Sequence, residues 1–259
     1  MVKKLLILGG TAEAADLARK AHQTLEGKVE IITSLAGRLE PRPGIPGQDV
    51  PHSDVPGRVR VGGFGGSGGL TDYLKSESID LVVDATHPFA ETISAGAYDA
   101  CLAAETPRLS LIRPPWPFPP LAKWVEVDDL GAAAEVLPRM SRRTFLTIGR
   151  SGLGAFSKVG GVWFLVRLMQ KPDGPLPLSG HQLITGRPPF SVESERALIR
   201  DHQIDVLVTK QSGGKAGEAK ITAALEANIK IIAIKRPPSE PGERVETVEE
   251  ALAWIAKNL

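Results

Sequence analysis

Short apolar runs alternate with stretches of helical periodicity along this chain of 259 residues. Apolar runs bounded by Gly, Pro or charged residues are typical of buried strands, whereas apolar positions at i, i+3 and i+4 spacing predict helices. The first half predicts strands at residues 5–8, 29–34, 58–61, 79–85 and 108–112, and helices at 12–25, 70–76 and 90–105. The second half predicts strands at residues 124–127, 144–148, 162–166, 181–185, 206–209 and 230–234, and helices at 130–137, 192–200, 216–227 and 248–258.

A proline-rich segment separates the two halves. Residues 113–120 hold five prolines, which continue neither a helix nor a central strand. We therefore expect a semi-rigid linker there, with an N-terminal domain at residues 1–115 and a C-terminal domain at 121–259. The alternation of strands and helices predicts two α/β, Rossmann-like three-layer domains with mainly parallel sheets and a cleft between them. Residues 39–57, rich in Pro and Gly, are predicted as a loop.

Composition narrows the function classes. The chain is 42% hydrophobic, with 31 basic and 30 acidic residues, so bulk nucleic-acid binding is not expected. Cys101 is the only cysteine, which excludes an internal disulfide and favours a reducing compartment. The apolar run before Gly9 is too short for a signal-peptide core or a membrane span. We therefore expect a cytoplasmic protein without a nucleic-acid or membrane partner.

The first strand runs directly into Gly9-Gly10-Thr11, followed by Ala12 and Glu13 at the start of a helix. A glycine turn and a helix N-terminus suit a dinucleotide pyrophosphate, because the backbone approaches closely and the helix end is partly positive. Alanine occupies the position of the third glycine in the usual pattern, where only close helix packing is required. These five residues are candidate cofactor-binding residues, although such turns also occur for structural reasons alone.

The end of the second strand bears on which nucleotide is bound. A preference for NAD usually places Asp or Glu there, to bind the ribose hydroxyls. This chain has Ser34, Gly37 and Arg38 instead, without a carboxylate. Because a guanidinium pairs well with a 2′-phosphate, these residues favour NADPH and are candidate cofactor contacts. The structural alternative is an ordinary solvent-exposed arginine.

Two further strand ends carry candidate site residues. Glycines at residues 62–66 let the backbone lie against a ligand, which makes Gly63 a candidate cofactor contact. The sequence Asp84-Ala85-Thr86-His87-Pro88-Phe89-Ala90 follows the fourth strand, at the edge where open α/β sheets bind ligands. Thr86 is a candidate cofactor contact and His87 a candidate catalytic acid. Alternatively, Thr86 caps a helix and His87 is a structural histidine.

The second half places cations at or just after several strand ends. The candidate substrate-binding residues are Arg150, Arg167, Arg187, Lys210, Ser212 and Gly213. Several cations at one sheet edge suit a polycarboxylate ligand, although any single arginine there is equally explained as solvated loop charge. The loop at Lys210 lacks the Walker spacing, which argues against an NTPase. The histidines and the cysteine show no metal-ligand spacing, so no metal site is predicted.

Six segments together carry a resemblance to a known family. They are residues 8–14 (LGGTAEA), 34–38 (SLAGR), 61–66 (VGGFGG), 84–90 (DATHPFA), 147–150 (TIGR) and 209–214 (TKQSGG). In this order the set resembles the precorrin-6A reductase family of cobalamin (and so porphyrin-type) biosynthesis, over nearly the whole chain. The resemblance implies NADPH-dependent reduction of one double bond of a tetrapyrrole, precorrin-6A, to give precorrin-6B. Neighbouring enzymes of that pathway are candidate partners.

The substrate implied by the resemblance carries acetate and propionate groups, which agrees with a basic binding surface. His87 and Lys210 are the candidate proton donors, and water is an equal alternative. One alternative function is the NADH-dependent cobalt-precorrin-6A reductase of the anaerobic pathway. Another is a different NADPH-dependent dehydrogenase, against which the chain offers no Tyr-x-x-x-Lys pair. A non-catalytic nucleotide-sensing protein is the alternative from another class.

Overall fold

The computed structural model describes residues 2–35, 55–120 and 122–259. The strands are β1 (Lys3–Leu8), β2 (Val29–Leu35), β3 (Arg58–Val61), β4 (Leu81–Asp84), β5 (Arg108–Leu111), β6 (Trp124–Val127), β7 (Arg143–Leu146), β8 (Trp163–Leu168), β9 (His181–Thr185), β10 (Val206–Lys210), β11 (Lys230–Ile234) and β12 (Glu243–Val245). The α-helices are α1 (Ala12–Thr24), α2 (Ser67–Ser76), α3 (Glu91–Ala103), α4 (Leu130–Met140), α5 (Val192–Asp201), α6 (Glu218–Glu226) and α7 (Val248–Asn258). Short 3₁₀ helices lie at Arg150–Phe156 and Lys215–Gly217.

The described residues form two compact units, each built on a six-stranded sheet. Unit 1 comprises Met1–Arg113 and Pro237–Leu259, and its sheet has the order β12-β5-β4-β1-β2-β3. Unit 2 comprises Pro114–Arg236, and its sheet has the order β6-β11-β10-β7-β8-β9. Every strand pairing in the described part of the chain is parallel. The predicted pair of parallel α/β domains is thus confirmed.

In unit 1, strand β1 is buried on both faces because successive side chains enter different cores. Leu5 and Ile7 pack in a cluster with residues of α1 and α7. Leu6 and Leu8 pack in a second cluster with residues of α2 and α3. Each of these four side chains is at most 2% exposed, and burying one stabilises the fold by roughly 1.5–3 kcal/mol. The continuous apolar run therefore reflects helices on both sides of the sheet.

Unit 2 has the same layered construction. Phe145 of β7 and Leu207 of β10 pack with apolar residues of α5 and α6. Phe164 of β8 meets Phe156 of the first 3₁₀ helix edge to face, with ring centroids 6.2 Å apart. Among the described helices, none is both long and apolar enough to cross a membrane.

The two units have the same strand order, although the sequence showed only that strands and helices alternate in both halves. From β1 the chain builds outwards to β2 and β3, and then returns to place β4 on the other side of β1; β7 to β10 follow the same path. Matching aspartates support the correspondence. Asp80 before β4 accepts a 2.8 Å hydrogen bond from the Lys4 backbone N–H, and Asp205 before β10 accepts one of 2.8 Å from that of Arg142.

The sixth strand of the unit 1 sheet, β12, corrects the predicted domain division. Residues 237–259 belong to unit 1, where β12 pairs with β5, and not to the second domain as predicted. Val248, Trp254 and Ile255 of α7 complete the core of unit 1. Periodicity along the chain predicts that a strand exists but not which sheet it joins, so the return of the chain was not visible in the sequence. The three-residue strand β12 was also not predicted.

The proline-rich segment also differs from a plain linker. Residues 114–120 belong to unit 2, and Trp116 is 5% exposed within its core. Phe118 stacks on Trp124 at a centroid distance of 4.5 Å. The prolines do break regular structure, as expected, but the aromatic residues between them anchor the segment.

Substitution of Ile255 by alanine tests whether α7 is part of unit 1. Ile255 is fully buried in the core shared with β1 and α1, so we expect the free energy of unfolding to fall by about 2–5 kcal/mol. Urea denaturation followed by tryptophan fluorescence measures the change. The matched control is Lys257→Ala, on the exposed side of the same helix, which should change stability by less than about 0.5 kcal/mol. Equal effects of the two substitutions would contradict the packing of α7.

Candidate functional site

The turn between β1 and α1 lies where the sheet of unit 1 reverses its strand order. The Gly9 N–H donates to the Ser34 carbonyl at 2.8 Å, which joins the turn to β2. A Cβ at Gly9 would lie 3.2 Å from side-chain atoms of both Thr33 and Leu35, so a larger residue would require these side chains to shift. Gly10 has φ +109°, which residues with a side chain rarely adopt. Close packing therefore favours glycine at position 9, and the backbone conformation favours glycine at position 10.

Thr11 joins three elements at this edge. Its hydroxyl caps α1 by accepting a 3.1 Å hydrogen bond from the Ala14 N–H. The same hydroxyl donates at 2.7 Å to the carbonyl of Ala85, directly after β4. The first turn of α1, including Ala12, is thereby held beside the ends of β1 and β4. A helix N-terminus at a switch point is a general anion-binding position in doubly wound sheets.

Glu13 adds a carboxylate in that first turn. It pairs with Arg113, whose Nη1 lies 2.6 Å from the Glu13 Oε2, and both side chains are largely buried. This pairing offsets a negative charge that would otherwise oppose a bound anion. The Glu13 side chain therefore has a partner within the protein, and its backbone belongs to the first turn of α1.

The loop after β4 is organised by the buried carboxylate of Asp84. Its Oδ1 accepts hydrogen bonds from the Thr86 N–H at 3.1 Å and the Thr86 hydroxyl at 2.7 Å. Its Oδ2 lies 3.8 Å from the Arg108 guanidinium, and both side chains are at most 6% exposed. The Thr86 hydroxyl also lies 3.2 Å from that of Ser94 on α3. Thr86 thus fixes the loop to its own strand and does not cap α3, where Ala90 holds the N-cap position.

His87 is exposed on this loop, three residues after the end of β4. Its Nδ1 accepts a 3.2 Å hydrogen bond from the Phe89 N–H. With Nδ1 as acceptor, a neutral ring carries its proton on Nε2. The role of His87 as a proton donor stays a prediction.

The glycine loop after β3 has a support that sequence reasoning missed. Arg60 is 8% exposed, and its guanidinium donates to the carbonyls of Gly62 at 2.6 Å and Gly63 at 2.9 Å. The same group lies 3.8 Å from the centroid of the Phe64 ring. The sequence signal that could have revealed this support is an arginine two residues before a pair of glycines. The loop that carries Gly63 is therefore ordered by Arg60.

Two predicted cofactor contacts, Gly37 and Arg38, lie outside the described residues. Ser34 is described: it is 6% exposed, and its carbonyl holds the Gly9 N–H. Hydrogen bonds thus bring Ser34, Gly9, Thr11 and the loop of Thr86 to one edge of the unit 1 sheet.

In unit 2, the predicted substrate residues follow the carboxyl ends of parallel strands. Lys210 is the last residue of β10, and Arg150 follows the adjacent strand β7. Arg150 is exposed and donates to the Asp173 carbonyl at 3.1 Å. Arg187 is exposed after β9, next to the cis peptide bond between Pro188 and Pro189. Lys210 and Arg150 therefore lie at the switch point of the second sheet.

Arg167 has a different environment from these cations. It forms a 2.6 Å ion pair with Glu195, and the two side chains are 9% and 1% exposed. Its guanidinium also lies 4.0 Å from the centroid of the Phe190 ring. These contacts tie Arg167 to α5 and to the loop that follows β9, which gives it a structural role, and its contact with substrate stays a prediction. Glu195 lies on α5, too far along the chain for a local pattern to reveal the pair.

The lone cysteine, Cys101, is buried. Burial raises the pKa of the Cys101 thiol to about 12, so the thiol stays protonated at neutral pH and is a poor nucleophile. In the part of the chain that the structure describes, no three His, Cys, Asp or Glu side chains gather as a metal-binding group.

The strand order and these two edges define a doubly wound α/β protein of the class that binds ligands at the carboxyl ends of its strands. The sequence profile of the family described as precorrin-6x reductase CbiJ/CobK matches residues 4–256. The chain belongs to this precorrin-6x reductase family. The resemblance inferred from the six sequence motifs is thereby confirmed.

Individual relatives agree with the family assignment. A protein from Rhodococcus erythropolis named precorrin-6A reductase is 44% identical over 254 residues, which cover 97% of each chain. A solved structure of CobK precorrin-6A reductase is 36% identical, with a TM-score of 0.88 over 99% of this chain and 97% of that one. A protein from Priestia megaterium named cobalt-precorrin-6A reductase is 31% identical over 71% of this chain and 75% of its own length.

Substitution of Thr11 by valine tests the hydroxyl that links α1 to the end of β4. Valine keeps the shape but removes both hydrogen bonds, so we expect the free energy of unfolding to fall by about 1–3 kcal/mol. The matched control is Thr24→Val at the other end of α1, where the exposed hydroxyl donates only to the Lys20 carbonyl and the expected loss is under about 0.5 kcal/mol. Chemical denaturation measures both. A loss no larger for T11V than for T24V would show that the link carries no stability.

Proposed function

We propose that this protein catalyses the NADPH-dependent reduction of precorrin-6A to precorrin-6B in cobalamin biosynthesis. The observation that carries the proposal is the coincidence of a family match over residues 4–256 with a glycine turn and capped helix at the switch point of unit 1. The reaction belongs to the CH-CH oxidoreductases. The single cysteine is consistent with catalysis in the cytoplasm.

The residues at the edge of unit 1 fit a nicotinamide dinucleotide. A Cβ added at Gly10 or Gly63 would meet no atom within 4 Å, so each glycine leaves open space above the backbone. Gly63 also lacks a positive φ, so neither its backbone conformation nor its packing requires glycine. Close approach of a ligand would be a reason for glycine at this position. Gly9, Gly10, Thr11, Ala12 and the backbone of Glu13 would hold the pyrophosphate. Thr86 and Gly63 would contact the remaining parts of the nucleotide.

A preference for NADPH over NADH rests on the sequence after β2. Residues 33–38 contain no carboxylate that would bind ribose hydroxyls, and Arg38 supplies a cation for a 2′-phosphate. The alternative is the NADH-dependent reduction of cobalt-precorrin-6A. The name of the Priestia megaterium relative keeps that alternative relevant, whereas the identity to the Rhodococcus erythropolis protein is higher.

The basic edge of unit 2 suits the acetate and propionate groups of the substrate. Arg150 and Lys210 follow adjacent strands, and Arg187 lies after the outer strand β9. Ser212 and Gly213 offer a hydroxyl and a backbone N–H in the same loop as Lys210. We propose that these groups bind substrate carboxylates by charge-assisted hydrogen bonds, which are stronger than hydrogen bonds between neutral groups.

A reduced nicotinamide supplies the hydride that the reaction requires. The residues of the protein must then hold the acceptor carbon within roughly 3–3.5 Å of the hydride donor and exclude side reactions. A proton must also reach the neighbouring carbon. His87, exposed after β4, and Lys210 are the proposed donors, and water is the alternative.

Arg38→Ala tests the proposed cofactor preference. Loss of a charge-assisted contact to the 2′-phosphate should weaken NADPH binding by about 1.5–3 kcal/mol, or roughly 10- to 150-fold, and leave NADH binding unchanged. Fluorescence titration with each nucleotide measures both dissociation constants. Arg19→Ala, which removes a positive charge from the exposed side of α1, is the control and should affect neither nucleotide. Equal weakening of both nucleotides in R38A would contradict the assigned role.

Lys210→Ala tests the proposed substrate edge. Loss of one charged contact should raise the KM for precorrin-6A or lower kcat. The resulting fall in kcat/KM should correspond to about 1.5–3 kcal/mol. Steady-state kinetics with saturating NADPH measure the change. Lys230→Ala is the matched control, because Lys230 begins β11 and so lies at the opposite edge of the same sheet. Unchanged kinetics in K210A would remove Lys210 from the site.

A further inference from the structure

The loop of residues 211–214, which follows β10, is held by a neighbouring arginine through its backbone carbonyls. Arg236 donates from Nε to the Gln211 carbonyl at 2.7 Å and from Nη2 to the Ser212 carbonyl at 3.0 Å. The guanidinium thus binds two successive peptide groups as a fork, a geometry that lysine does not reproduce. Arg236 is the last residue of unit 2.

The other end of the same loop is held by the segment that opens unit 2. The buried indole of Trp116 donates from Nε1 to the Gly214 carbonyl at 3.0 Å. A side chain at Gly213 would collide with the Pro114 carbonyl, and Gly213 has φ +65°. The loop therefore tolerates only glycine at position 213, and its backbone is fixed at both ends.

These contacts determine where the N–H groups of the loop point. In a trans peptide the carbonyl and the following N–H point in opposite directions. Because Arg236 binds the Ser212 carbonyl, the Gly213 N–H points away from Arg236. Because Trp116 binds the Gly214 carbonyl, the Lys215 N–H points away from Trp116. The positive charge of Arg236 also polarises the two peptide groups whose carbonyls it binds, which strengthens their N–H groups as donors.

We propose that Arg236 and Trp116 are positioning residues that orient the Gly213 and Lys215 N–H groups towards a carboxylate of the substrate, beside Lys210. The proposal rests on the proposed function, since it assigns the loop a carboxylate ligand. The two residues do not touch the substrate, and they act by fixing the peptide groups that do. The recognised group is an acetate or propionate side chain.

The test is steady-state kinetics of the full chain with precorrin-6A and NADPH as the varied substrates. Arg236→Ala should raise the KM for precorrin-6A about tenfold and change the KM for NADPH by less than about twofold. Arg236→Lys should give an intermediate rise, because one ammonium replaces the two-pronged contact. Trp116→Phe keeps the ring but removes the indole donor, and should raise the KM for precorrin-6A about fivefold.

Two further variants make the outcome decisive. Arg196→Ala removes an arginine whose partner is Glu226, on the exposed surface of unit 2, and should leave both KM values unchanged. If K210A raises the KM for precorrin-6A while R236A or W116F leaves it within about twofold of the wild-type value, the positioning role is wrong and the proposed substrate edge stands. If K210A also has no effect, the proposed substrate edge itself is lost. An equal rise of the KM for precorrin-6A and the KM for NADPH in R236A also overturns the proposal. If R236A fails to fold, W116F decides by the same criteria.

Discussion

The hydrogen bond from the Thr11 hydroxyl to the Ala85 carbonyl is the contact on which the arrangement of the glycine turn, α1 and the β4 loop depends. It ties the N-terminus of α1 to the residue that follows β4, beside the two strands at which the chain reverses direction across the sheet. Since the same oxygen caps α1, the position of the helix N-terminus is tied to the position of the β4 loop. Asp84 then holds Thr86 on that loop, and the Ser34 carbonyl holds Gly9 on the other side. Hydrogen bonds thereby join separate strand ends into one edge of the unit 1 sheet.

The two units build their edges from the same topology but with different chemistry. Unit 1 offers an open glycine turn and a capped helix of 13 residues, which suit a phosphate bound by backbone groups. At the equivalent turn after β7, unit 2 has a 3₁₀ helix that begins with Arg150. Lys210 and Arg187 add side-chain cations along the same edge. One repeat is thus suited to a nucleotide and the other to a ligand with several carboxylates.

The sequence was sufficient for the seven described α-helices and for every described strand except β12, because these elements follow local patterns. The candidate site residues were chosen at the predicted strand ends, and their roles stay predictions. Buried parallel strands leave continuous apolar runs, and their ends mark the functional edge. The return of residues 237–259 to unit 1 could not be predicted, since strand pairing across the chain leaves no local signal. Arg167 and Arg150 looked alike as strand-end arginines, and only the folded chain showed that Arg167 is paired with Glu195. Trp116 and Arg236 were missed for the same reason, as each acts on a backbone carbonyl that carries no sequence signature. Arg60 was missed although it stands two residues before a pair of glycines.

In the proposed reaction, a nicotinamide nucleotide held by unit 1 delivers a hydride to precorrin-6A. The most direct measurement is the mass of the product after incubation of the purified protein with precorrin-6A and NADPH deuterated at the transferable position. The account predicts that the pigment gains a single deuterium while the nucleotide is oxidised in equal amount. A pigment reduced without deuterium, or a nucleotide that is bound but not oxidised, would contradict it.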